Sequence, residues 1–231
     1  MSQTLSIVIP AYNEERFIGT LLERIRAVDL TPLGLDTQII VVDDGSRDRT
    51  VEIASAVPDV RVHKMPVNGG KGKAVRAGIG LATGDLLIIQ DADLEYDPRD
   101  YIPMIEALQA GRGDVIYGSR YLGRGRHPNQ SLAAYLGGRS LSLVALVFTG
   151  CFLTDTVTAY KLFRRTDLAS LTLETSGFEL DHEITARLVA RGLRIVEVPI
   201  TYDPRSKEEG KKIGMKDWFT AIRTFARFRK G

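Results

Sequence analysis

Three short acidic segments carry most of the chemistry available to this sequence: Asp91-Ala92-Asp93 with Glu95 close behind, Asp43-Asp44-Gly45-Ser46, and Asn13-Glu14-Glu15. Carboxylates crowded at neighbouring strand ends raise one another's pKa unless a cation or hydrogen-bond donors sit among them. Asp91, Asp93 and Glu95 are hard oxygen ligands on a turn, a set suited to Mg2+ or Mn2+ holding diphosphate oxygens with water completing the shell. An Asp-x-Asp triplet alone is common in solvated loops; this one is singled out by its place directly after Leu86-Leu87-Ile88-Ile89. Asp43-Asp44-Gly45-Ser46 also reads as a strand-to-helix turn, with Gly45 supplying positive φ and Ser46 or Asp48 capping the next helix. One cap does not require two acids before it, so Asp43 is assigned to the base or ribose of a nucleotide. Asn68-Gly69-Gly70-Lys71-Gly72-Lys73 looks like a phosphate loop, but glycine follows Gly70-Lys71 where a P-loop NTPase has Ser or Thr for magnesium. No Gly-x-Gly-x-x-Gly follows the first apolar run, which counts against a dinucleotide-binding dehydrogenase.

These segments need elements to position them. Leu5 to Pro10, Gln38 to Val42, Val60 to Met65 and Leu86 to Ile89 read as buried strands, alternating with helices through Phe17 to Ile25, Val51 to Ile53 and Lys71 to Ala82, and a further helix starts at Asp97-Pro98. That alternation predicts an α/β fold, a mostly parallel sheet with helices on both faces. Ligands of such sheets bind beyond the carboxyl ends of the strands, where all three acidic segments fall. Further on, Asp114 to Tyr117, Tyr160 to Phe163 and Arg194 to Ile200 read as strands. Ser131 to Phe152 reads as an apolar helix, Glu179 to Arg191 as a helix that Gly192 ends, and Lys216 to Lys230 as a final helix.

The chain has 231 residues, enough for one α/β domain; we divide it into a catalytic domain, 1–214, and an amphipathic helix, 215–231. Its net charge of +2 argues against nucleic acid held by a broadly basic surface. The single cysteine, Cys151, excludes an internal disulfide, and three scattered histidines make a zinc site improbable. The start lacks the pattern of a signal peptide and no run reaches the length of a bilayer span, so a cytoplasmic protein, soluble or peripheral on the cytoplasmic face of a membrane, is expected. Trp218, Phe219, Ile222, Phe225 and Ala226 share one face of the last helix, edged by Arg223, Arg227, Arg229 and Lys230. Helical stripes usually mean core, yet that composition also suits an anionic bilayer surface, with Leu141 to Phe152 joining it.

Nearly end to end, the chain resembles glycosyltransferase family 2, in particular its dolichyl- and polyprenyl-phosphate sugar synthases. The resemblance is carried by Ile9-Pro10-Ala11-Tyr12-Asn13-Glu14-Glu15, Val42 to Ser46, Asn68 to Lys73, Asp91 to Glu95, Gly118-Ser119-Arg120-Tyr121, Asp155-Thr156, Tyr160 to Phe163 and Glu197-Val198-Pro199-Ile200. It implies a GT-A type fold and a UDP- or GDP-sugar donor. Pro10, Tyr12, Glu14 and Asp43 would contact the nucleoside and Lys71 the donor. Asp91, Ala92 and Asp93 would hold ribose, diphosphate and the Mg2+ or Mn2+ ion, with Glu95 as a further ligand. Arg120, Arg139 and Arg205 become contacts for donor or acceptor phosphate, because a guanidinium grips phosphate with two bonds. Two departures, Val157 where an acid is common and Gly137-Gly138-Arg139 in place of Gly-Asn-Arg, fall on the acceptor side. The expected reaction is a single inverting displacement. A lipid-phosphate acceptor needs no base; a sugar or protein hydroxyl needs a carboxylate, for which Asp155 is the candidate, capping a turn before Tyr160 being its structural alternative. Nucleotidyl transfer is disfavoured because Ala11-Tyr12-Asn13-Glu14 stands where a glycine-rich triphosphate loop belongs. A non-catalytic nucleotide-sugar-binding subunit is the remaining rival.

Overall fold

A computed structural model describes residues 2–123, 125–127, 130–204 and 215–230. Alternating β-branched runs and amphipathic segments form seven strands, β1 Gln3–Ala11, β2 Leu35–Asp43, β3 Val60–Lys64, β4 Leu86–Ile89, β5 Val115–Ser119, β6 Lys161–Arg164 and β7 Ile195–Pro199. Among the described residues eight α-helices accompany them: α1 Ile18–Arg26, α2 Thr50–Ser55, α3 Lys71–Leu81, α4 Tyr101–Gln109, α5 Leu132–Thr149, α6 Arg165–Ala169, α7 Leu180–Ala190 and α8 Met215–Phe228. The sheet runs β3-β2-β1-β4-β6-β5-β7, parallel except for β6, which lies antiparallel to both neighbours. β1 has β2 on one side and β4 on the other, so the chain reverses direction across the sheet there and opens a crevice beyond the carboxyl ends of β1 and β4.

Both faces of the central strands are buried, which is why they read as continuous apolar runs. Leu5, Ile7, Ile9, Val41 and Ile88 pack with α1 and α4 on one face; Val8, Ile40, Val42, Leu87 and Ile89 pack with α3 and α7 on the other. The small residues of α3 allow a close approach to the sheet: a Cβ at Gly78 would lie 2.3 Å from Val8 Cγ1.

A third cluster joins α5, α7 and α8 through Val144, Ala145, Ala186, Phe225 and Phe228, with Phe148, Trp218 and Ile222 against it. This corrects the reading of α8 as a membrane-facing stripe: Trp218, Ile222 and Phe225 pack inward, while Phe219 and Ala226 stay exposed. The exposed apolar surface lies on α5 instead, where Leu132, Leu136, Leu143 and Val147 fall within one narrow arc. The expectation that no run reaches a bilayer span is corrected as well, since α5 is long and apolar enough by length and composition alone, with 28% of it buried.

Candidate active site

The loops after β1 and β2 are interlocked before any ligand arrives. Asn13, at φ 57°, donates its N–H to Ser46 Oγ at 2.9 Å, and its Oδ1 accepts from Arg47 N–H at 2.8 Å. The Glu14 N–H donates to Thr50 Oγ1 at 2.8 Å. Neither Ser46 nor Asp48 stands at the N-cap of α2, which is Arg49; Asp48 closes the turn just before it, accepting from Thr50 N–H at 3.0 Å. Asp43 closes its own turn, accepting the N–H groups of Gly45 and Ser46 at 3.2 Å. The interlock leaves Tyr12 exposed, with Pro10 and Glu14 half-buried beside it.

Asp44 reaches further. Its two oxygens accept the N–H groups of Gly69 and Gly70, each at 2.7 Å, and so pull the loop before α3 onto the end of β2. Gly70 is required at its place, since it sits at φ 91° and a Cβ there would lie 2.6 Å from the Ser176 carbonyl oxygen.

That loop delivers Lys71 to the acidic triplet. Lys71 Nζ lies 2.8 Å from Asp91 Oδ1 and 3.1 Å from Oδ2. Burial alone would lower this ammonium's pKa, but Asp91 and then Asp181 outweigh it and hold it above the ordinary lysine value. Asp93 Oδ1 accepts the Glu95 N–H at 3.1 Å, Leu94 between them takes the left-handed conformation at φ 62°, and Ala92 is buried. A non-glycine residue held at positive φ costs about 1–2 kcal/mol, the kind of strain that collects at functional loops. Glu95 is not gathered with the two aspartates as a third ligand. Its carboxylate accepts from Tyr202 O–H at 3.2 Å, and no group of three acidic, His or Cys side chains among the described residues is placed to hold a metal. Asp91 and Asp93 remain, two hard carboxylates with a cation already standing on Asp91 in the form of the Lys71 ammonium. That donor set fits a Mg2+ or Mn2+ ion whose other ligands come from diphosphate and water.

A second cluster follows β5. Arg120 grips Asp155 with two bonds, Nε to Oδ2 at 2.6 Å and Nη2 to Oδ1 at 2.8 Å, and its own N–H donates to Oδ2 at 3.1 Å. Burial works against the guanidinium's charge, yet Asp155 holds its pKa well above the usual value. Asp155 is fully buried with both oxygens engaged on Arg120, the geometry of a carboxylate that braces a guanidinium. The turn carrying Asp155 is fixed from two further directions. Glu197 accepts from Thr154 N–H at 2.7 Å and Asp155 N–H at 2.8 Å, while Arg139 on α5 donates to the Thr154 carbonyl oxygen at 2.7 Å. The guanidinium of Arg120 also lies over the rings of Tyr202 and Tyr121, 5.1 and 5.4 Å from their centroids. Arg205 lies outside the described residues.

The two clusters meet at Tyr96. Its ring stacks on Tyr160 at 4.7 Å; burial pushes its hydroxyl pKa well up, and the charges of Arg120, Asp155 and Asp91 all act on it. Gln90, which sequence reasoning did not single out, anchors the base of the site: its Oε1 accepts from the hydroxyls of Tyr101 and Tyr160, both at 2.6 Å, and its Nε2 donates to the Asp91 carbonyl oxygen at 2.8 Å. A polar residue ending the apolar run Leu86 to Ile89 was the available signal. Lys161 and Asp181 were not singled out either, one at the start of β6 and the other at the start of α7.

Known proteins resemble this chain over most of its length. The dolichol-phosphate mannosyltransferase of Pyrococcus furiosus is 32% identical over 98% of this chain, which spans 64% of that protein's length. The undecaprenyl-phosphate mannosyltransferase of Micrococcus luteus is 33% identical over 90% of this chain and 86% of its own. Among solved structures, glucosyl-3-phosphoglycerate synthase from Mycobacterium tuberculosis, in complex with Mn2+, uridine diphosphate and phosphoglyceric acid, superposes with a TM-score of 0.73 at 23% identity, covering 96% of this chain and 78% of that one. That likeness speaks to the fold, which is of the expected GT-A type. The family pattern of glycosyl transferase family 2 matches residues 6–169, and the chain belongs to that family of glycosyltransferases.

Proposed function

We propose that the protein transfers a sugar from a nucleotide-diphosphate donor, a UDP- or GDP-sugar, to a polyprenyl or dolichyl phosphate at a membrane surface, with inversion at the anomeric carbon. The observation that carries the choice of acceptor is the Arg120–Asp155 pair. In this reading Asp155, the candidate base, is spent on an arginine, which favours an acceptor that is already an anion over a hydroxyl that must be deprotonated. Two relatives named for dolichol- and undecaprenyl-phosphate mannosyl transfer support the same acceptor class.

In this reading Tyr12, Pro10, Glu14 and Asp43 line the nucleoside end of the crevice and Lys71 meets the diphosphate. Arg120, aided by Arg139 and Arg205, orients the acceptor phosphate. One of its oxygens forms a bond to the anomeric carbon as the bond from that carbon to the diphosphate oxygen breaks, and the electron pair leaves with the nucleoside diphosphate. No proton moves. Asp91 and Asp93 would hold a Mg2+ or Mn2+ ion, which would supply positive charge for the leaving diphosphate. The exposed stripe Leu132, Leu136, Leu143 and Val147 on α5 is the face that meets the lipid, with the Arg229 guanidinium just past the end of α8, 6.0 Å over the Phe148 ring of the same α5 helix, as a nearby basic group.

Calorimetric titration with UDP- and GDP-sugars, with and without Mn2+, tests the donor half of the proposal; binding to one series that Asp91→Ala loses is expected. Transfer to a short polyprenyl phosphate and not to the matching polyprenol tests the acceptor half. Absence of nucleotide-sugar binding in both series overturns the transferase assignment as drawn.

A further inference from the structure

Lys71 belongs to a chain of alternating charges that runs into the protein. Its ammonium touches Asp91 on one side and lies 3.7 Å from Asp181 Oδ2 on the other. Asp181 Oδ1 in turn accepts from Lys161 Nζ at 2.6 Å. Lys161 is fully buried, lies 5.1 Å from the centre of the Tyr117 ring and also donates to the Thr158 carbonyl oxygen. A buried ammonium without a counter-ion is strongly disfavoured, so Lys161 needs Asp181, whose charge Lys71 shares at the longer distance. Asp91 makes the shorter contact with Lys71, and Asp93 adds to the field on the same ammonium. The exposed Phe178 ring also lies near the ammonium, its centre 5.7 Å from Lys71 Nζ.

The consequence concerns the order in which ligands arrive. The ammonium of Lys71 stands on both oxygens of Asp91, one of the two carboxylates that fit a divalent ion. An incoming cation must compete with a cation that is tethered, partly desolvated and braced from behind by Asp181. A diphosphate changes the balance, since its oxygens give the ammonium another anionic partner and release Asp91. We propose that Lys71, braced by the Lys161–Asp181 pair, is a tethered counter-ion that keeps Asp91 closed to a bare divalent cation and yields it only when a nucleotide diphosphate takes the ammonium, so that metal and donor bind together. This rests on the donor-binding reading above.

Calorimetry on the whole chain tests it with MnCl2 alone and with MnCl2 plus UDP or GDP, on wild type, Lys71→Met and Lys71→Gln, the folding of each variant confirmed by circular dichroism. Wild type is expected to bind Mn2+ at least tenfold more weakly alone than with the nucleotide it prefers. Both variants are expected to bind Mn2+ alone about tenfold more tightly than wild type and to bind the nucleotide more weakly. Wild-type affinity for bare Mn2+ in both folded variants overturns the proposal, whatever their activity. The metal-alone titration uses no nucleotide, so its outcome is separate from failure of UDP and GDP to bind, which would sink the transferase reading.

Discussion

Replacing Asp155 by Asn separates a base from a brace. The carboxylate is fully buried and holds Arg120, whose side chain is 11% exposed, through bonds of 2.6 and 2.8 Å. Removing one partner of a buried pair costs about 3–5 kcal/mol, because the other charge is left without compensation. Asn keeps one oxygen that still accepts a guanidinium N–H but turns an NH2 group toward the other, so we expect the low end, about 3 kcal/mol. For a domain of this size that lowers Tm by roughly 6–12 °C. Calorimetric melting reads the stability, and transfer to polyprenyl phosphate reads the function. The expected kinetic result is a raised acceptor KM, with donor binding kept and the pH profile of kcat unchanged in shape, because Arg120 swings free but no proton-transfer group has been lost. Replacing both partners with apolar residues, Arg120→Met with Asp155→Leu, is expected to recover much of the stability while transfer stays lost. A variant Asp155→Asn with wild-type Tm, an unchanged acceptor KM, and a kcat that has collapsed and lost its acidic limb would refute this reasoning and restore Asp155 as the base.

Gly78→Val places a side chain where the Cβ alone meets Val8 Cγ1 at 2.3 Å, and denaturant unfolding is expected to show a loss of about 1–3 kcal/mol, at the top of that range if β1 does not shift. Leu136→Glu with Leu143→Glu, at exposed sites on α5, is expected to leave Tm within about 2 °C of wild type, since surface changes usually stay within about 0.5 kcal/mol, and to abolish co-sedimentation with anionic vesicles; undiminished co-sedimentation would move the membrane face elsewhere. Glu183 is buried, which raises its pKa, but bonds from the Thr175 hydroxyl and N–H, from Arg187 and from the Glu174 N–H outweigh burial and leave it below the ordinary glutamate value of 4.5. Because the folded-state value is depressed, its contribution to stability is present above pH 4.5 and is lost as pH falls from there through the folded value; Glu183→Gln is expected to flatten that acid limb in pH-dependent melts.

Sequence revealed some of this protein more readily than the rest, for physical reasons. The strands β1, β2 and β4 were legible because both their faces are buried, which demands an unbroken apolar run, and a break in such a run marks the strand end where ligands bind. Asp91, Asp93, Asp43 and Tyr12 stand at those breaks. What pairing does to a residue after folding was not legible. Asp43 and Asp44 are neighbours of identical chemistry, yet one closes its own turn while the other reaches 25 and 26 residues along the chain to the N–H groups of Gly69 and Gly70. Asp155 looked available until Arg120, 35 residues earlier, was found on both its oxygens. The face of α8 presented the same difficulty: amphipathic spacing says that one side will be covered but does not name the cover. Here α5 and α7 supply it, and the exposed apolar surface is the arc of Leu132, Leu136, Leu143 and Val147 on α5, where apolar residues on the buried side as well leave no simple amphipathic pattern to say which side points outward. The acidic triplet is the most instructive case. Its residue types and place announced a cation, and a cation is there, contributed by Lys71 from a loop 20 residues upstream. Charge balance was therefore readable from the sequence; the source of the balancing charge required the fold.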